Sequence, residues 1–180
     1  MKYFRKIEGE NIYLSPMNIE DIEIYMKWMN DKKVTDNIGR SQFLFTFEKE
    51  REWIESVNKG RQYQFAIVTN NDELIGNCSL FDIDFINGNA TVGIFIGEEE
   101  FRGKGLGTEA LKLLISYGFN HLNLNNMMLT VFSFNERAIK CYNKVGFKEI
   151  GRRRKDALIN NKRYDTIYMD IIREEYYKEV

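Results

Sequence analysis

Eight residues carry the reading of this chain: Phe101-Arg102-Gly103-Lys104-Gly105-Leu106-Gly107-Thr108. Upstream, 90–96 reads as a strand. Downstream, Leu106, Ala110, Leu113, Leu114 and Tyr117 recur at helical offsets and predict a long amphipathic helix over 105–122. A glycine-rich turn between them lets backbone approach a ligand closely and adopt positive φ. The amides that open a helix are unsatisfied donors at the positive end of its dipole. Together they form a site for phosphate or pyrophosphate, and Arg102 and Lys104 add positive charge. Two familiar phosphate loops do not fit. A Walker A loop needs Gly-x-x-x-x-Gly-Lys-Ser/Thr. A dinucleotide fingerprint needs Gly-x-Gly-x-x-Gly in the first βα unit, whereas these glycines are spaced two apart and follow four strands.

Working outward, 12–15 alternates apolar and polar and should be a strand closed by Pro16. Asn18 then suits a helix N-cap, with Ile19, Ile22, Tyr25 or Met26, and Met29 at helical spacing. Residues 30–46 mix charge, Gly39 and aromatics and read as a loop or broken helix before a second helix over 47–58. Strands follow at 64–69, 74–81 and 90–96, with turns at Asn70-Asn71-Asp72 and Asn87-Gly88-Asn89. Beyond the long helix, 127–132 is an apolar run too short for a helix and reads as a buried strand. A helix over 135–145 closes on Gly146, and strands at 147–153 and 164–172 flank Asn160-Asn161. The expected fold is a single α/β (α+β) domain over 1–180: a mixed, mostly antiparallel sheet of about seven strands flanked by about four helices.

Composition narrows the chemistry. The chain has 180 residues, 26 Lys+Arg against 27 Asp+Glu, and 43% hydrophobic residues. That is enough for one domain to bury about 70% of its unfolded surface, and the charge balance argues against a general nucleic-acid binder. Only His121, Cys78 and Cys141 supply soft ligands, fewer than the roughly four of a structural zinc site, so no metal is expected. The N-terminus lacks the roughly 7–15-residue apolar stretch of a signal peptide, and no run of about 18 apolar residues suggests a membrane span. The expectation is a cytoplasmic protein with both thiols reduced, without a membrane or nucleic-acid partner.

The spacing Arg102-x-x-Gly105-x-Gly107 resembles the Arg/Gln-x-x-Gly-x-Gly/Ala acyl-CoA-binding loop of the GNAT superfamily of N-acetyltransferases. The segment from Leu129 through Asn135, Ala138, Tyr142, Gly146 and Phe147 resembles that family's strand, Asn-x-x-Ala-x-x-x-Tyr helix and Gly-Phe closure. The tail, with Asp156, Asn160, Asn161, Asp165 and Met169, resembles the ending of the ribosomal-protein-alanine and spermidine N-acetyltransferases, with Asn161 where Gly is usual. Asn11-Ile-Tyr-Leu-Ser-Pro16 resembles the same branch.

The resemblance implies direct transfer of acetyl from acetyl-CoA to a primary amine in a ternary complex. The acceptor is a polyamine, a protein N-terminal amine, or an amino sugar or antibiotic. It implies that the backbone of Arg102, Gly103, Lys104, Gly105, Leu106, Gly107 and Thr108 holds the pyrophosphate. Phe95, Ile96 and Gly97 match the splayed strand that pairs with the pantetheine and supplies an amide to the thioester oxygen. Tyr142 occupies the general-acid position, and Asn135 matches a residue that hydrogen-bonds the cofactor arm. Thr91 stands where many relatives carry a glutamate base, so the base is a carboxylate or a water chain, with Asp156 and Asp165 as candidates.

Several features carry a bland and a sharp reading together. Acidic residues at Asp31, Asp36, Glu48, Glu50, Glu52 and Glu55 can receive a cationic amine or form a solvated helix face. Phe43, Phe45 and Phe47 can line an amine pocket or pack locally. Arg152–Lys155 can meet RNA or an acidic partner, or be a solvated strand end. Cys141 reads as a small buried hydrophobe, His121 as a surface or boundary side chain. A CoA-sensing module without catalysis is the alternative, motivated by Thr91, and a symmetric homodimer is the default assembly.

Overall fold

A computed structural model describes residues 2–60 and 62–179. One eight-stranded sheet runs through it, in the order β1-β2-β3-β4-β5-β6-β8-β7. The strands are β1 (Ile7–Glu8), β2 (Ile12–Pro16), β3 (Tyr63–Thr69), β4 (Leu74–Asp84), β5 (Asn89–Ile96), β6 (Asn126–Phe132), β7 (Lys148–Ile159) and β8 (Lys162–Ile172). All neighbours pair antiparallel except β5 and β6, which are parallel. The helices are α1 (Ile22–Met29), α2 (Lys32–Thr35), α3 (Phe47–Lys59), α4 (Leu106–His121), α5 (Glu136–Val145) and α6 (Arg173–Glu179).

The expected α/β fold is present, with differences that have local causes. β1 and α6 are only two and seven residues long, too short to show a period. β7 continues past residue 153 because Lys155 takes φ +51° and the register shifts between Arg153 and Ala157. A bulge there bends the strand where the basic run suggests its end. In α1 the buried positions are Ile22, Tyr25 and Trp28, while Ile19 is 38% exposed. The apolar face is therefore carried by Trp28, and Met29 lies at its margin.

Two cores lie on opposite faces of the sheet. On one, Ala110, Leu111, Leu114, Ile115 and Phe119 of α4 and Tyr142 and Val145 of α5 pack against Cys78, Leu80, Val92, Leu129 and Ile167. On the other, Tyr25 and Trp28 of α1, Val34 of α2 and Ile54 and Val57 of α3 pack against Tyr13, Ala66 and Val68. Each large apolar side chain removed from water contributes about 1.5–3 kcal/mol, so both faces are firmly covered. Glu109 ties the start of α4 to the sheet. Its carboxylate accepts from Asn11 N (2.8 Å) and Asn11 Nδ2 (3.0 Å). Burial works against that charge, yet the Asn11 and Ile12 amides hold the carboxyl below its ordinary range.

Candidate active site

β5 and β6 pair over three residues only, Asn89–Thr91 with Asn126–Met128. Past Thr91 they part. β5 continues on β4 as far as Ile96, and β6 continues on β8 as far as Phe132. A cleft of about 870 Å³ opens between them, lined by Val92–Ile96, Thr130 and Val131 and by residues of α4 and α5 on one face and α2 on the other. It passes through the sheet.

The splayed edge leaves backbone groups without a strand partner. Gly97 N donates to Ile75 O on β4 (2.8 Å). In a strand, successive residues turn their amides to opposite sides, so the N–H groups of Ile96 and Ile94 point away from β4 into the gap. Of the three expected residues, Ile96 thus offers a free amide, whereas that of Gly97 is committed to Ile75 and that of Phe95, two residues earlier, also faces β4. Ile94 joins the set, a consequence of register that spacing alone does not reveal. Gly97 is required for a different reason: a Cβ there would sit 2.2 Å from the Trp28 ring. Trp28 Nε1 donates to Glu98 Oε1 at 2.9 Å, and Lys27 Nζ donates to the same carboxylate. The Lys27 bond, helped by Trp28, holds the Glu98 carboxyl below its ordinary range despite partial burial.

The glycine turn meets the cleft at the start of α4. Gly105 caps this helix with φ +86°, and no side chain hydrogen-bonds to its first turn. The N–H groups of residues 106–108 therefore point outward unsatisfied. Gly103 has φ +76°, and a Cβ on Gly103 or Gly105 would meet nothing within 4 Å. The turn is an open, donor-lined concavity that suits a pyrophosphate. Gly103, Gly105, Gly107 and Thr108 border the cleft. The side chains of the turn are placed differently from expectation. Arg102 Nε donates to Ile96 O (2.9 Å) and Nη2 to Gly97 O (2.7 Å), so its guanidinium braces β5. Lys104 is exposed, with its ammonium 5.6 Å from the Phe101 ring centroid, and Leu106 packs against the first core. Positive charge at this mouth comes also from Arg137, Lys140 and Lys144 of α5, which the motif reading missed. Their i, i+3, i+7 spacing was the available signal.

Tyr142 is 9% exposed and borders the cleft. Burial pushes its phenol pKa up, so the hydroxyl keeps its proton near neutral pH. Asn135 caps α5, its Oδ1 accepting from Ala138 N (3.2 Å), and Gly146 closes the helix with φ +104°. The cap leaves Asn135 Nδ2 beside the cleft. Cys141 Sγ lies 3.2 Å from Thr108 Oγ1, and burial raises its thiol, as expected of an unreactive cysteine.

Other candidate residues are not brought to the cleft. Asp156 borders a second pocket of about 470 Å³, where Thr166 Oγ1 donates to its Oδ2 (2.9 Å) and Arg153 Nε lies 3.0 Å from its Oδ1. Asp165 accepts from Lys155 N (2.9 Å) and pins the β7 bulge. Phe43 and Phe47 are exposed, at 51% and 39%, under the guanidinium groups of Arg40 and Arg51. Thr91 sits on the last rung before the splay. His121 is exposed beside Tyr117. Arg152 pairs with Glu149, and the run 152–155 is a solvated strand surface.

Comparison with known proteins agrees with this geometry. The family model described as Acetyltransferase (GNAT) domain matches residues 11–148. An uncharacterized N-acetyltransferase, YokL, derived from the SPbeta prophage of Bacillus subtilis, is 30% identical over 169 residues, covering 93% of each chain. Spermidine N(1)-acetyltransferase of Escherichia coli is 29% identical, over 95% of this chain and 91% of that one. In three dimensions, spermidine N-acetyltransferase of Vibrio cholerae, solved with CoA and spermine, superposes with a TM-score of 0.86 at 23% identity, over 94% of this chain and 99% of that one. The open β5–β6 seam, the uncapped glycine turn of α4 and the sequence likeness converge: the chain belongs to the GNAT acetyltransferase family and is an N-acetyltransferase.

Proposed function

We propose that the protein moves an acetyl group from acetyl-CoA directly to a primary amine, both held at once in the cleft that pierces the sheet. The observation that carries this reading is the coincidence, along one cleft, of an unpaired β5 edge and an uncapped helix start. The activated acyl thioester is the only chemistry the donor supplies. The amides of residues 106–108 and the Gly103–Gly105 turn receive its pyrophosphate, in the field of the α4 dipole. Arg137, Lys140 and Lys144 add charge along the same rim. Ile94 and Ile96 offer their backbone groups to the pantetheine arm, as a ninth strand would, and Asn135 Nδ2 offers a further donor. The Ile96 N–H faces the gap and is the donor best placed to meet oxygen charge developing at the carbonyl, a contribution of about 2.7–4 kcal/mol for one preorganised donor.

The amine nitrogen forms the new C–N bond as the C–S bond breaks. The sulfur leaves with the electron pair and takes the phenolic proton of Tyr142, while the second proton that the nitrogen sheds as the amide forms passes through water and restores the phenol. Glu136 is the one carboxylate among the described residues that line the cleft, and it sits on α5, away from the acceptor mouth. Water therefore takes the ammonium proton before attack. The two unbridged thiols, Cys78 and Cys141, fit a reducing compartment such as the cytoplasm.

Isothermal titration calorimetry with acetyl-CoA tests the reading. We expect one site with micromolar affinity, competed by CoA, and release of free CoA when an acceptor amine is added. Absence of binding in the micromolar range would sink it.

A further inference from the structure

Both mouths of the cleft carry basic residues. On the α4–α5 face, Arg137, Lys140 and Lys144 suit phosphates. On the opposite face the wall is built by Asn77 and Ser79 of β4 with Gly93 and Phe95 of β5, and the rim by α2 and the turn after it, with Lys33, Asn37 and Arg40. Lys33 is already paired with Glu99 (2.7 Å). Arg40 has no carboxylate partner among the described residues; its guanidinium lies 5.6 Å from the Phe43 ring centroid. Asn77 and Ser79 are 4% and 6% exposed, border the cleft, and their side chains hydrogen-bond to no other described residue. Their polar atoms are not sealed from solvent but face the open cleft, where an entering molecule can hydrogen-bond to them.

The acids that the sequence offers to a cationic acceptor are all elsewhere. Asp31 caps α2 by accepting from Lys33 N. Asp36 borders the second pocket and accepts from Asn160 Nδ2. Glu50 is buried in α3, and Glu48, Glu52 and Glu55 are exposed along it. A polycation entering this mouth loses hydration, gains no counter-charge and meets Arg40.

We infer that the acceptor is a primary amine that also carries an anionic group. Arg40 receives the anion at the rim, while Asn77 and Ser79 hydrogen-bond the part that leads to the amine. Arg40 is thus a specificity residue. This rests on the acetyl-transfer reading above and narrows its acceptor.

The test compares three amines with the same five-methylene spacer, 6-aminohexanoate, its phosphate analogue 5-aminopentyl phosphate and the neutral 6-aminohexanamide, with the polycation spermidine. Initial rates of CoA release are measured for the full chain and for Arg40→Gln. We expect kcat/KM to be about tenfold or more higher for the anionic amines than for the amide, with spermidine lowest. Arg40→Gln should cut the anionic-to-neutral ratio by about tenfold and raise the relative rate of spermidine. The carboxylate and phosphate arms say which anion is preferred; either supports the inference. It is overturned if spermidine is the best substrate of the unaltered chain, or if Arg40→Gln leaves the ratio unchanged. Calorimetry separates the two levels. If acetyl-CoA binds but no amine of the series turns over, the acceptor inference falls and the donor site stands. If acetyl-CoA does not bind, the acetyl-transfer reading itself falls. Circular dichroism of Arg40→Gln, a substitution on an exposed rim, confirms that the comparison is between folded proteins.

Discussion

Arg102 reaches back six residues to Ile96, its Nε donating to the Ile96 carbonyl at 2.9 Å while Nη2 holds Gly97 O at 2.7 Å. The fork therefore fixes the last peptide of β5, whose neighbouring N–H faces the cleft. A planar guanidinium holds both carbonyls in one rigid fork, which an ammonium on a flexible stem does not reproduce. We expect Arg102→Lys to lower kcat/KM for acetyl-CoA by about tenfold and Arg102→Gln by up to about a hundredfold, as for loss of charge-assisted hydrogen bonds worth about 1.5–3 kcal/mol. Steady-state kinetics on folded variants checks this. An unchanged kcat/KM would show that β5 needs no brace.

Tyr142→Phe removes one oxygen from a residue that otherwise fills the core beneath α5. The expected outcome is a fall in kcat of about a hundredfold or more, typical for loss of a positioned proton donor, with acetyl-CoA affinity from calorimetry little changed. Equal losses in affinity and turnover would instead mark Tyr142 as a packing residue.

Gly97→Ala places a methyl 2.2 Å from the Trp28 ring. Neither the strand end nor the indole, tied to Glu98, can yield cheaply, so a destabilisation of about 1–3 kcal/mol is expected from overpacking. Urea denaturation measures it. The double substitution Gly97→Ala with Trp28→Leu should recover part of the clash penalty, and strict additivity of the two changes would refute direct contact.

Glu50 is 4% exposed in the second core, and burial raises its carboxyl from 4.5 to about 7. A raised folded-state value means the protonated form is favoured by folding. Its contribution is fully present below pH 4.5 and is lost as pH rises through 7. Glu50→Gln should therefore match the unaltered chain in stability near pH 4. At pH 8 it should exceed it by about 3 kcal/mol, because each tenfold change in proton affinity between folded and unfolded chain is worth about 1.36 kcal/mol. Urea midpoints at several pH values read the difference directly; a constant offset would contradict it.

Much of this site is legible in sequence, and the limits have physical causes. Gly105 and Gly146 announce themselves because left-handed caps favour glycine, and both adopt that conformation. Tyr142 enters as a site residue only through the family resemblance; helical spacing alone places it with Ala138, Ile139 and Val145 on one side of α5. What escaped depends on where a side chain turns after the chain has folded. The charge of Arg102 suggests a phosphate, but its fork folds back on the preceding strand. Asp156 shares its motif with Asp165, yet the bulge at Lys155 sends it to another pocket. The acids of 30–55 look like a receptor for a cation when read along the chain, and the placement of α2 and α3 turns every one of them away from the cleft.

The three-rung seam between β5 and β6 has a consequence for the protein before any chemistry. Beyond Thr91 the middle of the sheet contains two strand edges that no longer pair with each other, the kind of open ladder that invites unwanted association. A molecule laid along that gap finishes the sheet. Its concentration then enters the folding equilibrium by mass action, adding about 2.7 kcal/mol at a hundredfold excess over its dissociation constant. The melting temperature of this enzyme should rise and fall with its donor, and starving it of that donor should expose its centre before its rim.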